Sequence, residues 1–291
     1  MFTYVSSVLN GIEKQALTLS CEEIQSRMRR LCLDEFAEVL LNMPNSQYPN
    51  ISSCLPKMAS DEVQNNWTGS CGYTLLRQSL TFVRATWHSY ERMTGRKLDT
   101  AKILDYGCGY GRLLRLMMYF ANNDHLFGCD PWEKSIELCR ESGIKCDLQV
   151  TDYLPLALPY PNGNFDLIYA FSVFTHTSLR ATTTALDALS KIINHDGVLV
   201  ITIRPVEYWD FHQNLSDTER KSLKNNHDNI GFSFRPHNRQ LVDGDITYGD
   251  TSISLEFIAQ NFTDWKILAS EQTLDDPYQR IVYLQLCRKE S

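Results

Sequence analysis

Apolar positions follow two different rhythms along this chain. Up to about residue 100 they recur at three- and four-residue steps. Leu76, Leu80, Val83 and Trp87 form one such stripe, which predicts a helix over about 73–92. Ser20 with Glu23 three positions later reads as a capping box. It opens a helix to about Leu41, with Ile24, Met28, Leu31 and Cys32 on one side. Pro44, Pro49 and Pro56 mark 42–60 as loop. From Ala101 onward the rhythm changes to short apolar runs separated by amphipathic stretches. The runs predict strands at 101–106, 125–130, 146–151, 165–173 and 197–203. Helices are predicted at 133–142 and about 178–194, the second with Thr182, Leu186, Leu189 and Ile193 inward. Strands this apolar are buried on both faces. Residues 206–250 are polar and irregular, too long for a plain connection, and predict a functional insertion. A helix at 252–262 follows. Two alternating segments, 265–273 and 280–288, then read as an antiparallel pair.

The segment with the most chemical content lies where the rhythm changes. Ile103-Leu-Asp-Tyr runs into Gly107, Gly109 and Gly111, and Leu113-Leu-Arg-Leu-Met-Met starts an apolar helix. A turn stripped of side chains lets backbone approach a ligand closely. The helix start beyond it offers unpaired N–H groups to an anion. A dinucleotide fingerprint would place its third glycine at the position of Arg112. Two acids follow at strand ends. Asp130 stands about twenty residues past the turn, and Asp152 with Tyr153 follows the third strand. In an open α/β sheet these ends face the ligand crevice.

An Asp-x-Gly-x-Gly-x-Gly turn resembles motif I of the class I S-adenosylmethionine-dependent methyltransferases. The resemblance covers roughly 102–205 and, less sharply, the rest of the chain. It implies an α/β, Rossmann-like, doubly wound seven-stranded sheet with an antiparallel edge pair, preceded by a helical extension or lid. The expected division is 1–98 for that extension and 99–291 for the core, with 206–250 covering the substrate pocket. The implied cofactor is S-adenosyl-L-methionine. By position, Asp105, Gly107, Gly109 and Gly111 take its methionine moiety and Asp130 its ribose. Asp152 and Tyr153 take the adenine, Trp132 covers the adenine face, and Phe171 and Ser172 lie beside the bound cofactor.

The acceptor is less legible. His176, after the fourth strand, is the candidate general base, since an imidazole titrates near neutral pH. The Asn/Asp-Pro-Pro-aromatic tetrad of base-amine methylation is missing: the strand end reads Ala170-Phe-Ser-Val. Acidic metal ligands for catechol chemistry are missing there too, so no metal is expected. Trp67-Thr-Gly-Ser-Cys-Gly72 resembles the lid entry of methyltransferases that act on small metabolites or sugars, which puts Ser70 near the methyl group. Tyr208, Trp209 and Phe234 are candidate pocket walls. Arg204, Arg235 and His237 are candidates to receive an anionic acceptor. The leading function is methyl transfer to a metabolite, sugar or natural product. The alternatives are a protein or peptide methyltransferase and a silent cofactor-binding regulatory subunit. An oxidoreductase is disfavoured by Arg112.

Composition narrows the partners. Of 291 residues 43% are hydrophobic, the net charge is −7 and the pI about 5.5. No basic block tracks phosphates, so nucleic acid is not expected. Arg27, Arg29 and Arg30 are flanked by acids and read as a solvated face. Nine cysteines without zinc spacing point to a reducing compartment. With no signal pattern and no membrane-length apolar run, the expectation is a cytoplasmic protein with no membrane partner. Oligomeric state is not legible.

Overall fold

The computed structural model describes residues 3–287. They fall into two compact units, Met1–Val150 and Thr151–Ser291.

The first unit begins with six helices: α1 (Thr3–Gln15), α2 (Cys21–Met28), α3 (Leu33–Leu41), α4 (Pro49–Cys54), α5 (Asp61–Thr68) and α6 (Gly72–Thr94). The capping box is present, with Ser20 accepting from the Glu23 N–H. The helix expected to reach Leu41 breaks after Met28, because Cys32 and Glu35 start a second one by closing another box. The expected loop at 42–60 contains α4, begun by Pro49, whose fixed φ suits a first helical turn. α6 carries the predicted stripe and stops at Gly95, which is left-handed.

Strand β1 (Ile103–Tyr106), helix α7 (Arg112–Met117), strand β2 (Leu126–Asp130), helix α8 (Glu133–Glu141) and strand β3 (Asp147–Val150) complete this unit. The strands are parallel in the order β3-β2-β1. The N-terminal helices are tied to them by a buried cation. Arg115 on α7 gives its Nε and Nη2 to the Lys57 carbonyl and its Nη1 to Tyr110 O. Cys21 and Cys54 form a disulfide, Cα–Cα 5.0 Å. Disulfides persist in oxidising surroundings, so this bond runs against the reducing environment expected from the cysteine count.

The second unit holds β4 (Phe165–Ala170), α9 (Leu179–Ile192), β5 (Ile193–Ile203), α10 (Tyr208–Phe211), α11 (Asp217–Ile230), β6 (Phe232–Pro236), β7 (Gly249–Ile253), α12 (Leu255–Asn261), β8 (Trp265–Gln272) and β9 (Arg280–Leu286). β4 and β5 are parallel, and β9 and β8 follow antiparallel in the order β4-β5-β9-β8. The chain thus has the expected seven-stranded α/β sheet with an antiparallel edge pair. Leu167–Ala170 and Val198–Ile203 are fully buried, as their apolar runs, broken only by Thr202, require.

The expected irregular insertion is ordered instead. α11 has its own capping box at Ser216 and Glu219, and β6 pairs with β7 as a two-stranded antiparallel sheet. β7 takes the first residues of the helix expected at 252–262. All five β7 positions are buried although three are polar, so hydrophobic patterning could not reveal the strand. No helix among the described residues is long and apolar enough to cross a membrane.

Candidate active site

In the first unit the site grows from the end of β1. Gly107, Gly109 and Gly111 all take positive φ, 77°, 55° and 76°, which other residues adopt only under strain. The N–H groups of Gly107 and Cys108 bond the Cys129 carbonyl on β2 at 2.8 and 3.0 Å. The three glycines have different reasons to be bare. A Cβ on Gly111 would meet Ile144 Cδ1 at 2.2 Å and Cys139 Sγ at 3.0 Å. Gly111 therefore does the helix-packing work of a fingerprint's third glycine, one residue early. Arg112 is released to donate to Ser79 Oγ and Gln78 Oε1 on α6.

Asp130 fastens the turn. Its Oδ2 accepts the Gly109 N–H at 2.9 Å and its Oδ1 accepts the Trp132 N–H at 2.9 Å. Burial raises its pKa, and these backbone donors counter only part of the rise. Trp67, at the end of α5, covers the turn. Its indole lies 3.8 Å from where a Gly109 Cβ would be, stacks on Trp132 at 4.8 Å and meets Tyr110 edge-on. Ser70 is half-buried in the α5–α6 turn, where its carbonyl accepts from Thr68. Asp105 is buried at the end of β1. Cys108 is held protonated by a hydrogen bond with Cys139 and by burial.

The second unit carries a polar cluster centred on Asp250 of β7. Oδ1 accepts from Arg204 at 2.7 Å and Tyr208 at 2.9 Å; Oδ2 accepts from His237 at 2.8 Å and His212 at 3.2 Å. β7 reaches this place through backbone bonds. Gly249 and Thr251 donate to the carbonyls of His176 and Thr175 after β4, and Ile253 donates to Arg204 O after β5. The cluster thus stands at the carboxyl ends of β4 and β5, where α/β sheets bind ligands. Burial pushes the Asp250 pKa up, but the His237 hydrogen bond and the Arg204 cation outweigh it and hold the carboxyl well below the usual range.

His176 is engaged on both sides. Its Nδ1 faces the Gly249 carbonyl at 2.7 Å and so carries the proton. Its Nε2 accepts from Arg204 at 3.0 Å. Burial and the Arg204 cation lower its pKa to about 4. A neutral imidazole whose acceptor nitrogen is already filled is not poised to take a proton, so the geometry argues against the expected base role. Its ring stacks flat on Tyr248.

Arg204, Tyr208 and His237 come together in this cluster. Arg235 is half-buried and donates to Asn214 O, and Phe234 is half-buried on β6. Trp209 is fully buried, with its indole N–H on Ser252 Oγ, and is core rather than pocket wall. Asp152 and Tyr153 are exposed after β3 and Phe171 is half-buried after β4. Ser172 has φ 60°, unusual for a side-chain-bearing residue. Its N–H bonds Thr202 Oγ1 at 2.7 Å and its hydroxyl meets Thr175. Strain of this kind at a strand end gathers at functional sites. Sequence reasoning missed His212 and Asp250, and took Trp67 only as the start of the lid-entry motif, without a place over the glycine turn. The place of Trp67 five positions before the start of α6, at the head of the lid turn, was the signal for that role. Asp250 had no such signal. Among the described residues no group of three or more His, Cys, Asp or Glu side chains is arranged so that it could hold a metal ion.

Comparison with known proteins bears on the domain and the fold. Residues 103–197 match the family profile described as a methyltransferase domain. An uncharacterised protein of Rickettsia prowazekii is 28% identical over 142 residues, 46% of this chain and 56% of its own length. The 27-O-demethylrifamycin SV methyltransferase of Amycolatopsis mediterranei is 30% identical over 105 residues, 34% of this chain and 38% of its own. The chain therefore spans about half or less of these curated relatives. A crystal structure of a protein from Pyrococcus horikoshii aligns with TM-score 0.52 at 12% identity, over 79% of this chain and all of that one, a likeness of fold.

Proposed function

We propose that this chain, which belongs to the class I S-adenosylmethionine-dependent methyltransferases, transfers a methyl group to a small-molecule acceptor. The bare turn at 107–111, fastened by Asp130, carries the reading. It fits the cofactor. Gly107 and Gly109 present backbone where a methionine end would pass. A carboxylate has about four acceptor sites. Asp130 uses two on backbone N–H groups and one on Ser135, which leaves capacity for a ribose hydroxyl. Asp105 and Gly111 complete the methionine side, and Trp132, Asp152, Tyr153, Phe171 and Ser172 are assigned to the adenosyl moiety by their motif positions.

When bound, the cofactor supplies a sulfonium-activated methyl group. The chain's work is to align an acceptor with it and exclude water. Trp67 over the turn is placed for exclusion. The Asp250 cluster is rich in fixed donors, and Arg204 and Asp250 offset each other's charge, so the surroundings favour a neutral polar acceptor over the anionic one expected from Arg204 alone. The name of the rifamycin relative, with a small natural-product acceptor, supports the same class. Purified protein mixed with methyl-labelled S-adenosylmethionine and a small-metabolite extract is expected to give a labelled product of low mass. Label found only in macromolecules would contradict the proposal.

A further inference from the structure

We propose that His237 is the general base of this reaction, that Asp250 positions it, and that the methylated group is therefore a hydroxyl. The inference rests on the methyltransferase reading above. It comes from comparing the three imidazoles gathered around one carboxylate. His176 has both nitrogens engaged, one on Gly249 O and one by Arg204. His212 is nearly buried, gives Nε2–H to Asp250 and accepts the Asn214 N–H at 3.4 Å on Nδ1. His237 also gives Nε2–H to Asp250, at 2.8 Å, but its ring is about a third exposed, and no described residue bonds its Nδ1. It alone joins a carboxylate-fixed tautomer to a bare, reachable nitrogen. Tyr248 meets the ring edge-on at 5.5 Å and limits its rotation.

This is the arrangement in which a carboxylate holds an imidazole in one tautomer and stabilises the imidazolium when a proton arrives. Arg204 and Tyr208 occupy Oδ1, so Oδ2 is left to the imidazoles. The nucleophile follows from the need for a base. An amine attacks through its own lone pair, and a thiol ionises appreciably unaided near neutral pH. An alcohol or phenol gains most from losing its proton as it attacks. The acceptor O–H proton passes to Nδ1 of His237 while oxygen bonds to the methyl carbon. The carbon–sulfur bond breaks, and its electron pair stays on sulfur. The products are a methyl ether, S-adenosylhomocysteine and a protonated His237, which returns its proton to water.

Two readouts test this. The first needs no ligand: ring-nitrogen NMR of histidine-labelled protein is expected to show His237 as the Nε2–H tautomer and His176 as the Nδ1–H tautomer. An Nδ1–H His237 overturns the proposal. The second locates the label in the product of the metabolite-extract assay. Label on oxygen is expected, with kcat down by about 10²–10⁴-fold in His237→Ala, KM within a few-fold, and partial recovery on adding imidazole. His237→Gln, whose amide can still donate to Asp250, is expected to keep the fold and share the loss. Label on nitrogen, sulfur or carbon, or near-normal kcat in His237→Gln, overturns it. No labelled product at all, despite tight cofactor binding, would overturn the methyl-transfer reading itself rather than the choice of base.

Discussion

Single side chains organise the glycine turn and the Asp250 cluster alike. Asp130 fastens the turn, because one carboxylate fixes the Gly109 and Trp132 N–H groups. Removing it frees the turn and, on the proposed reading, takes away the acceptor for a ribose hydroxyl. Asp130→Ala is expected to weaken S-adenosylhomocysteine binding by about 1–3 kcal/mol, read by calorimetry; unchanged affinity would remove Asp130 from the site. His176 makes a prediction about pH. Its pKa is held near 4 in the folded chain, by burial and then by Arg204, against about 6.5 when unfolded. Between those values the unfolded chain binds more protons, so its stabilising share is complete above about pH 6.5 and is lost as pH falls toward 4. The loss from this group is up to about 1.4 kcal/mol per pH unit in that window. Urea melts at several pH values are expected to show a shallower dependence in His176→Gln; the same slope in both proteins would contradict the assignment.

At the scale of elements, β7 is the part that makes the second cluster. Gly249 is where β6 comes close: a Cβ there would stand 2.1 Å from Arg235 O and 2.7 Å from Phe234 Cε2. Gly249→Ala is expected to destabilise the protein by about 1–3 kcal/mol and to loosen the Asp250 contacts, seen as a lower melting temperature and lower kcat together. An unchanged melting temperature would mean that β6 and β7 are not so closely paired. The α2–α4 disulfide is a second element-scale device. Closing the 33-residue separation between Cys21 and Cys54 is worth about 2–4 kcal/mol. Dithiothreitol is expected to lower the melting temperature of the wild type but not of Cys54→Ser; equal melts with and without reductant would contradict the bond. These elements also mark what was legible. Apolar runs gave β1, β2, β4 and β5, and cap chemistry gave α2. β7 stayed hidden because its buried polar residues are satisfied by tertiary partners. α4 and α11 were hidden by prolines and by a run of polar residues, though a capping box stood at Ser216. The glycine turn could be read directly, since bare backbone is itself a sequence pattern. Asp250 could not, because its partners lie 13 to 46 positions away.

At the scale of the molecule, the chain follows the rule that α/β sheets place chemistry beyond their strand ends. β1 and β2 lead into the glycine turn and Asp130 in the first unit. β4 and β5 lead into the Asp250 cluster in the second, with an added helix and two-stranded sheet supplying the carboxylate. The methyltransferase match at 103–197 takes in the turn and His176 but stops short of Arg204, His237 and Asp250. The Asp250 cluster, which the proposal assigns to the acceptor, therefore lies outside the matched region. The most direct test of the account is calorimetry of the purified chain with S-adenosylmethionine, S-adenosylhomocysteine and NAD. The expected result is one site for each of the first two ligands and none for NAD. Binding of NAD, or no binding of either adenosyl ligand, would contradict it.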